Sequence, residues 1–254
     1  MNKFLRKVRQ KMLTENKFSK YLIYAIGEII LVVIGILIAL QINNKNQQRI
    51  SFNEEQVLLK ILKDDFTNRL NELETLNVGR QNAVDIIEQL MRLRDNQQEA
   101  YDDKVMDSLL AMSTTTYRFN ESFATMNMLF NSGKINSLSN DSLKYLLSSW
   151  PANVEEMLEE QRLIVANFYE LEKSIGRYVS FRDIYQNFSW SDYDIPDIEP
   201  STIRKDYKGL LNDTNFENLI ASKRFLLIIN IADANLLIDE AKKIIQLLEV
   251  EITK

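Results

Sequence analysis

Three groups of side chains in this 254-residue chain have types and spacings that could do chemistry. The first is the set of adjacent carboxylates Asp64-Asp65, Glu155-Glu156 and Glu159-Glu160. Glycoside hydrolysis needs two carboxyl groups at a set separation, one acting as acid and the other as base or nucleophile. These pairs fall on polar helix faces, and their spacing does not distinguish such a pair from solvated charge. The second group lies between Arg182 and Pro200. There Tyr185, Phe188, Trp190 and Tyr193 alternate with Asp183, Asp192, Asp194, Asp197 and Glu199, with prolines at 196 and 200. Aromatic faces among acids can bind a protein partner, a peptide or a glycan by stacking and hydrogen bonding. The acids could also ligate calcium loosely, but the glycine and spacing of an EF-hand loop are missing. The plainer alternative is a loop whose aromatics fold back over the end of a helical bundle. The candidate partner-binding residues are Tyr185, Phe188, Trp190, Asp192, Tyr193 and Asp194. The third group is a single carboxylate, Glu28, inside an otherwise apolar run from Tyr21 to Leu40.

Composition excludes much familiar chemistry. The chain has no histidine, which removes the usual general base and the commonest zinc ligand. It has no cysteine, so disulfides, thiolate metal sites, cysteine nucleophiles and a lipid-bearing N-terminal cysteine are all excluded. Phosphate-cradling glycine loops are absent. The expectation is a protein that is not an enzyme, with no cofactor and no bound metal.

The element that must position Glu28 is a helix. Twenty residues at 1.5 Å each span about 30 Å, the thickness of a bilayer's hydrocarbon core. Residues 1–20 carry seven bases and one acid, a net +6, which should hold the N-terminus on the cytoplasmic side. The whole chain is −5, so with Glu28 subtracted the residues after Leu40 carry −10. An acidic major domain argues against a nucleic-acid partner. A cleaved signal peptide has a shorter apolar core and a small-x-small cleavage site. This run ends Ala39-Leu40-Gln41-Ile42-Asn43, without that pattern, and so reads as an uncleaved anchor. Phe4, Leu5, Val8 and Met12 share one sector of a helical wheel, consistent with a short helix on the inner membrane surface or with a topology signal alone. The expected layout is a basic cytoplasmic tail (1–20), a transmembrane helix (21–42) and an exported, periplasmic helical domain (43–254).

Within the span, Ala25, Glu28, Val32, Gly35 and Ala39 are spaced 3, 4, 3, 4 and lie within about 80° of one another at 100° per residue. Small residues let helices approach closely in lipid, and a membrane carboxylate usually faces a protein partner or water. This face is the candidate interface, for a second copy or for another membrane protein. Snorkelling of Glu28 to the inner headgroups, or a place in an ion path, are the competing readings.

The exported part has few helix breakers, with only six glycines and three prolines in the chain. Apolar residues from Leu58 to Met91 recur every three or four positions, predicting one long helix to about Arg94, started or re-phased at the capping-box spacing Ser51-Phe52-Asn53-Glu54 and kinked near Gly79. Shorter helices are predicted over Lys104–Met112, Ser122–Phe130 and Asp141–Ser149, the last capped by Asn140. Ser132-Gly133 reads as a helix stop with glycine in the left-handed conformation. Pro151 suits a first turn and opens a further helix to about Ile184. Thr214-Asn215-Phe216-Glu217 has capping-box spacing and begins a last long helix. The fold class is all-α: one N-terminal transmembrane helix followed by an antiparallel bundle.

The run Glu15-Asn16-Lys17-Phe18-Ser19-Lys20-Tyr21-Leu22, continued by Tyr24-Ala25-Ile26-Gly27-Glu28 and by Leu31-Val32-Val33-Ile34-Gly35-Ile36-Leu37-Ile38-Ala39-Leu40-Gln41-Ile42-Asn43-Asn44, resembles the signature of a family of uncharacterised single-span membrane proteins of Gram-negative bacteria. The stretch Ser122 to Ile135 resembles a second, looser element of that family, T-F-x-x-L-x-x-S-G-x-L. It departs in Ser122 for Thr, Met126 for Leu and Asn131 ahead of Ser132-Gly133. The resemblance implies a domain of unknown function and brings no catalytic residues. The function expected is a membrane-anchored interaction protein that self-associates or joins a larger envelope complex, with the lipid bilayer as its first partner. An accessory subunit of an ion-coupled complex and a ligand-sensing periplasmic bundle are the alternatives.

Overall fold

The computed structural model describes residues 17–96, 102–121, 124–186 and 196–252. Among these every regular element is helical: α1 (Lys17–Asp95), α2 (Asp103–Thr114), α3 (Ala124–Asn131), a 3₁₀ turn (Lys134–Ser137), α4 (Asp141–Ile175), α5 (Phe181–Gln186), α6 (Tyr207–Leu211) and α7 (Thr214–Ile252). The chain divides into two compact units, Met1–Val57 and Leu58–Lys254. The first unit, over its described part, is the N-terminal stretch of α1. One helix there is long and apolar enough to cross a membrane, and none of its apolar window is buried.

The second unit has its core in two clusters. One gathers Leu59, Leu62, Phe66 and Leu73 of α1, Leu143, Leu147, Trp150 and Val154 of α4, and Leu237, Ile244 and Leu248 of α7. The other gathers Val84, Ile87 and Leu90 of α1, Ile164 and Leu171 of α4, and Phe216, Ile220 and Leu227 of α7, with Leu110 of α2. The spacing of three and four along each long helix puts these residues on one stripe, and that stripe is what the fold buries. Phe66 and Trp150 meet edge to face at 4.9 Å between centroids and are both fully buried.

Between the clusters, each long helix carries polar side chains at the same level. Asn77 of α1 donates to Asn235 Oδ1 at 3.0 Å, Asn230 of α7 donates to Met157 O at 2.8 Å, and Gln161 of α4 clasps the backbone of Phe119. Rungs above and below fix the alignment. Along α1 and α7 the pairs are Lys63–Glu249, Glu74–Lys242 and Glu88–Arg224, so partner numbers fall in α7 as they rise in α1. Along α4 and α7 they are Asn140–Glu251, Asn153–Glu240 and Asn167–Leu219 O, with the same sense. Ion pairs this exposed contribute about 0–1 kcal/mol each, so burial holds the fold and the rungs select its register.

Several local expectations are met. Asn140 caps α4 through Leu143 N, and Gly133 stands at φ 69°, where a side chain would be strained. Five others are corrected. Asp141–Ser149 and the helix after Pro151 are one element, Asp141–Ile175, with the proline inside it. An interior proline costs about 3 kcal/mol, and the stripe Leu143, Leu147, Trp150, Val154 and Met157, all fully buried across that point, offsets it. The helix expected to reach Ile184 stops at Ile175, and Phe181–Gln186 is separate. Gly79 marks no break in α1; a Cβ there would overlap the Tyr117 ring, so the glycine makes room for that side chain. Ser51 likewise starts no helix. Finally, the cap of α7 is Asp213, whose Oδ1 accepts the Asn215 N–H at 2.7 Å, with Thr214 already helical.

Candidate functional site

α1 carries the proposed membrane interface. Ala25, Glu28, Val32, Gly35 and Ala39 are all exposed, and a Cβ added at Gly35 would meet no atom within 4 Å. On a helix their spacing gives a continuous groove of small side chains with Glu28 at one level, flanked by Leu, Ile and Val. Leu31 is 71 % exposed and Leu37 58 %, so apart from Glu28 the circumference is apolar surface left uncovered among the described residues.

The acid and aromatic stretch is held at its two ends. Gln186 Nε2 donates to Asp197 Oδ1, the Ser201 N–H donates to Asp183 Oδ1 at 2.8 Å, and Arg182 reaches Glu199 O at 3.5 Å. Of the candidate binding residues, Tyr185 is half-buried: its hydroxyl donates to Glu172 Oε1 and its ring lies 5.2 Å from that of Phe181. Burial and the bond to Glu172 push its phenol well above the ordinary range. Phe188, Trp190, Asp192, Tyr193 and Asp194 lie outside the described residues.

At the foot of this stretch is a charge cluster that the spacing did not announce. Lys205 Nζ lies 2.7 Å from Asp107 Oδ2, 3.5 Å from Asp183 Oδ2 and 3.9 Å from Asp103 Oδ2. Tyr207 donates its hydroxyl to Asp107 Oδ1 at 2.7 Å. Burial opposes the charge on Lys205, but the bond to Asp107 and the surrounding carboxylates outweigh it and raise the ammonium above its usual value. Burial and Asp107 likewise push the Tyr207 phenol up. Lys205 and Tyr207 therefore hold their protons at neutral pH, which suits a clamp joining α2, α5 and the start of α6 better than a proton shuttle. A cavity of about 370 Å³ opens beside it, lined by Lys104, Arg182, Asp183, Glu199 and Lys205 among others. The only sequence signal was the i, i+4 pair Asp103 and Asp107 on α2; Lys205 comes from far along the chain.

Two buried cations hold the segment that follows α2. Lys223 is fully buried and donates Nζ to Ser113 O at 2.6 Å and Thr115 O at 3.0 Å; burial lowers it to about 8. Arg80, also fully buried, donates to Asn77 Oδ1 at 2.8 Å and to Tyr117 O at 3.5 Å; burial lowers it to about 10, against the pull of Glu72. Lys223 faces the C-terminal carbonyls of α2, where a cation is favoured by the helix dipole. A lysine this depressed is nucleophilic chemistry in waiting only if a substrate can reach it, and Lys223 has no exposed surface.

Among the described residues no group of three or more acids is disposed to hold a metal ion. The molecule thus offers one apolar membrane-sized face, an acid and aromatic loop base, and a helical core pinned by buried cations. No curated protein and no solved structure matches the chain. A protein-family model does match, over residues 28–230, from within the apolar run to the middle of α7. The chain therefore belongs to that family, DUF6090, a family of unknown function.

Proposed function

We propose that the protein is a non-enzymatic interaction protein anchored by a single span in the inner membrane, with its N-terminus in the cytoplasm and its helical domain in the periplasm. In this reading the span associates, with a second copy or with another membrane protein, through Ala25, Glu28, Val32, Gly35 and Ala39. One observation carries it: α1 presents an exposed, predominantly apolar surface from Leu22 to Leu40, with its small residues, apart from Gly27, on a single line. Each Leu, Ile or Val left in water forgoes about 1.5–3 kcal/mol of burial, so this surface belongs in lipid. Helices in lipid gain contact by packing where small residues admit a neighbour, and a carboxylate there favours a polar contact. The seven bases among residues 1–20 support the inward N-terminus.

The test is the native mass of the full-length protein and its Gly35→Leu variant, purified from their own membrane in mild detergent. The wild type is expected as a defined oligomer or complex that Gly35→Leu dissociates. A bare monomer in both would overturn the association.

A further inference from the structure

α7 carries two apolar seams on opposite sides. Leu227, Ala234, Ala241 and Leu248 recur every seven residues and are buried in the core of the second unit. Across the helix, Phe225, Ile229, Ala232 and Leu236 recur at spacings of 4, 3 and 4, with Ile228 beside them. At 100° per residue they lie about half a turn from the buried seam, so they point away from the core. Phe225 is 63 % exposed and Leu236 70 %; Ala232 and Ile228 are exposed, and Ile229 is half-buried. From Phe225 to Leu236 the outer stripe runs about 16 Å.

A helix on the surface of a bundle buries one apolar stripe and turns a polar face to water. A second stripe at coiled-coil spacing, facing outward, has the form of a seam for another helix. The same alternation continues into charge, because Asp239 and Lys243 take the next two places on the line, both exposed. Among the described residues neither has an ion-pair partner.

This line complements itself. With two copies parallel and in register, each apolar residue meets its like, and Asp239 of one copy comes within one helical turn of Lys243 of the other. The two-fold axis makes that pair twice. Run antiparallel, with Phe225 opposite Leu236, the seam would set Asp239 against Ser222 and Lys243 against Asn218, and neither charge would be paired.

We propose that α7 pairs with α7 of a second copy, parallel and in register, through Phe225, Ile229, Ala232 and Leu236, with Asp239 of each copy opposite Lys243 of the other. The apolar stripe is small beside the roughly 800 Å² per partner of a standard interface. The contact therefore rests on the membrane anchor proposed above, which holds copies in one plane and supplies the effective concentration a weak interface needs. It does not rest on the Gly35 face of the span.

The chain has no cysteine, so a single introduced thiol reports only on its own position. Leu236→Cys and Ala232→Cys are made in the full-length protein and oxidised with copper phenanthroline in the membranes that hold it. Both are expected to give a disulfide-linked dimer, because like residues face each other across the axis. Tyr145→Cys, on the exposed side of α4, is expected to give none. Phe225→Glu should lower the Leu236→Cys dimer roughly tenfold, since it puts an unpaired charge in the seam. Asp239→Lys should lower it too, and adding Lys243→Asp should restore it. Gly35→Leu should leave the dimer in place. Anchored protein without a Leu236→Cys dimer would overturn the proposal, as would a Tyr145→Cys dimer of equal yield. A dimer formed only between Phe225→Cys and Leu236→Cys chains would overturn the parallel register. Recovery of the chain in the soluble fraction would overturn the anchor, and this contact with it.

Discussion

Leu31 and Leu62 sit on the same helix and have opposite fates: the first is 71 % exposed and the second has no exposed surface. From Leu22 to Leu40 α1 is apolar on nearly all sides and none of that window is buried; from Leu58 onward it is apolar on one stripe that packs with α4 and α7. Both stretches are helical, so the difference is one of what each packs against. In the proposed reading the first stretch leaves its burial to lipid, whereas the second has its partners encoded further along the chain. Periodicity records this directly, as all-round apolarity against a stripe.

The largest expected break in that contrast is Phe66→Ala. Removing a fully buried ring that packs on Trp150 should cost about 3–5 kcal/mol in denaturant unfolding. Leu31→Ala, with no neighbour to lose, should leave the same transition in place. Next comes Gly79→Leu, where any side chain meets the Tyr117 ring. Overpacking there should destabilise by about 1–3 kcal/mol, read as a lower denaturant midpoint, whereas Gly35→Leu should leave that midpoint unmoved.

A smaller effect sharpens the comparison through pH. Lys223 is lowered from 10.5 to about 8 in the folded chain. Its folded form therefore binds fewer protons between those values, and the linked stability is full above 10.5 and lost as pH falls through 8. Unfolding free energy should drop by roughly 2 kcal/mol between pH 10 and pH 8, and Lys223→Met should flatten that slope. An unchanged slope in the variant would mean the ammonium is better solvated than its burial indicates.

Much of the fold was legible because it is local. The apolar run, the Asn140 cap and the left-handed Gly133 each follow from a few adjacent residues. Pro151 misled for the opposite reason: the local rule puts proline in a first turn, and only burial of Trp150 and its neighbours against other helices carries α4 through it. Gly79 misled likewise, since the ring that needs its space is Tyr117, far along the chain. The charge clusters were illegible on the same ground. Asp65 and Glu72 look like solvated helix charge until Asn120 and Glu121 close over them. Asp107 gains its role only when Lys205 and Tyr207 arrive from about a hundred residues later.

The polar level between the two apolar clusters has a consequence for how the long helices can slide. A slip of one turn, about 5.4 Å, would carry Arg80 away from Tyr117 O and Asn230 away from Met157 O, and into leucine-lined space. The leucines themselves would tolerate it, because one stripe of leucines packs much like the next. A few buried polar residues therefore act as an index mark: they forgo some apolar contact and leave a single vertical alignment of three otherwise interchangeable rods.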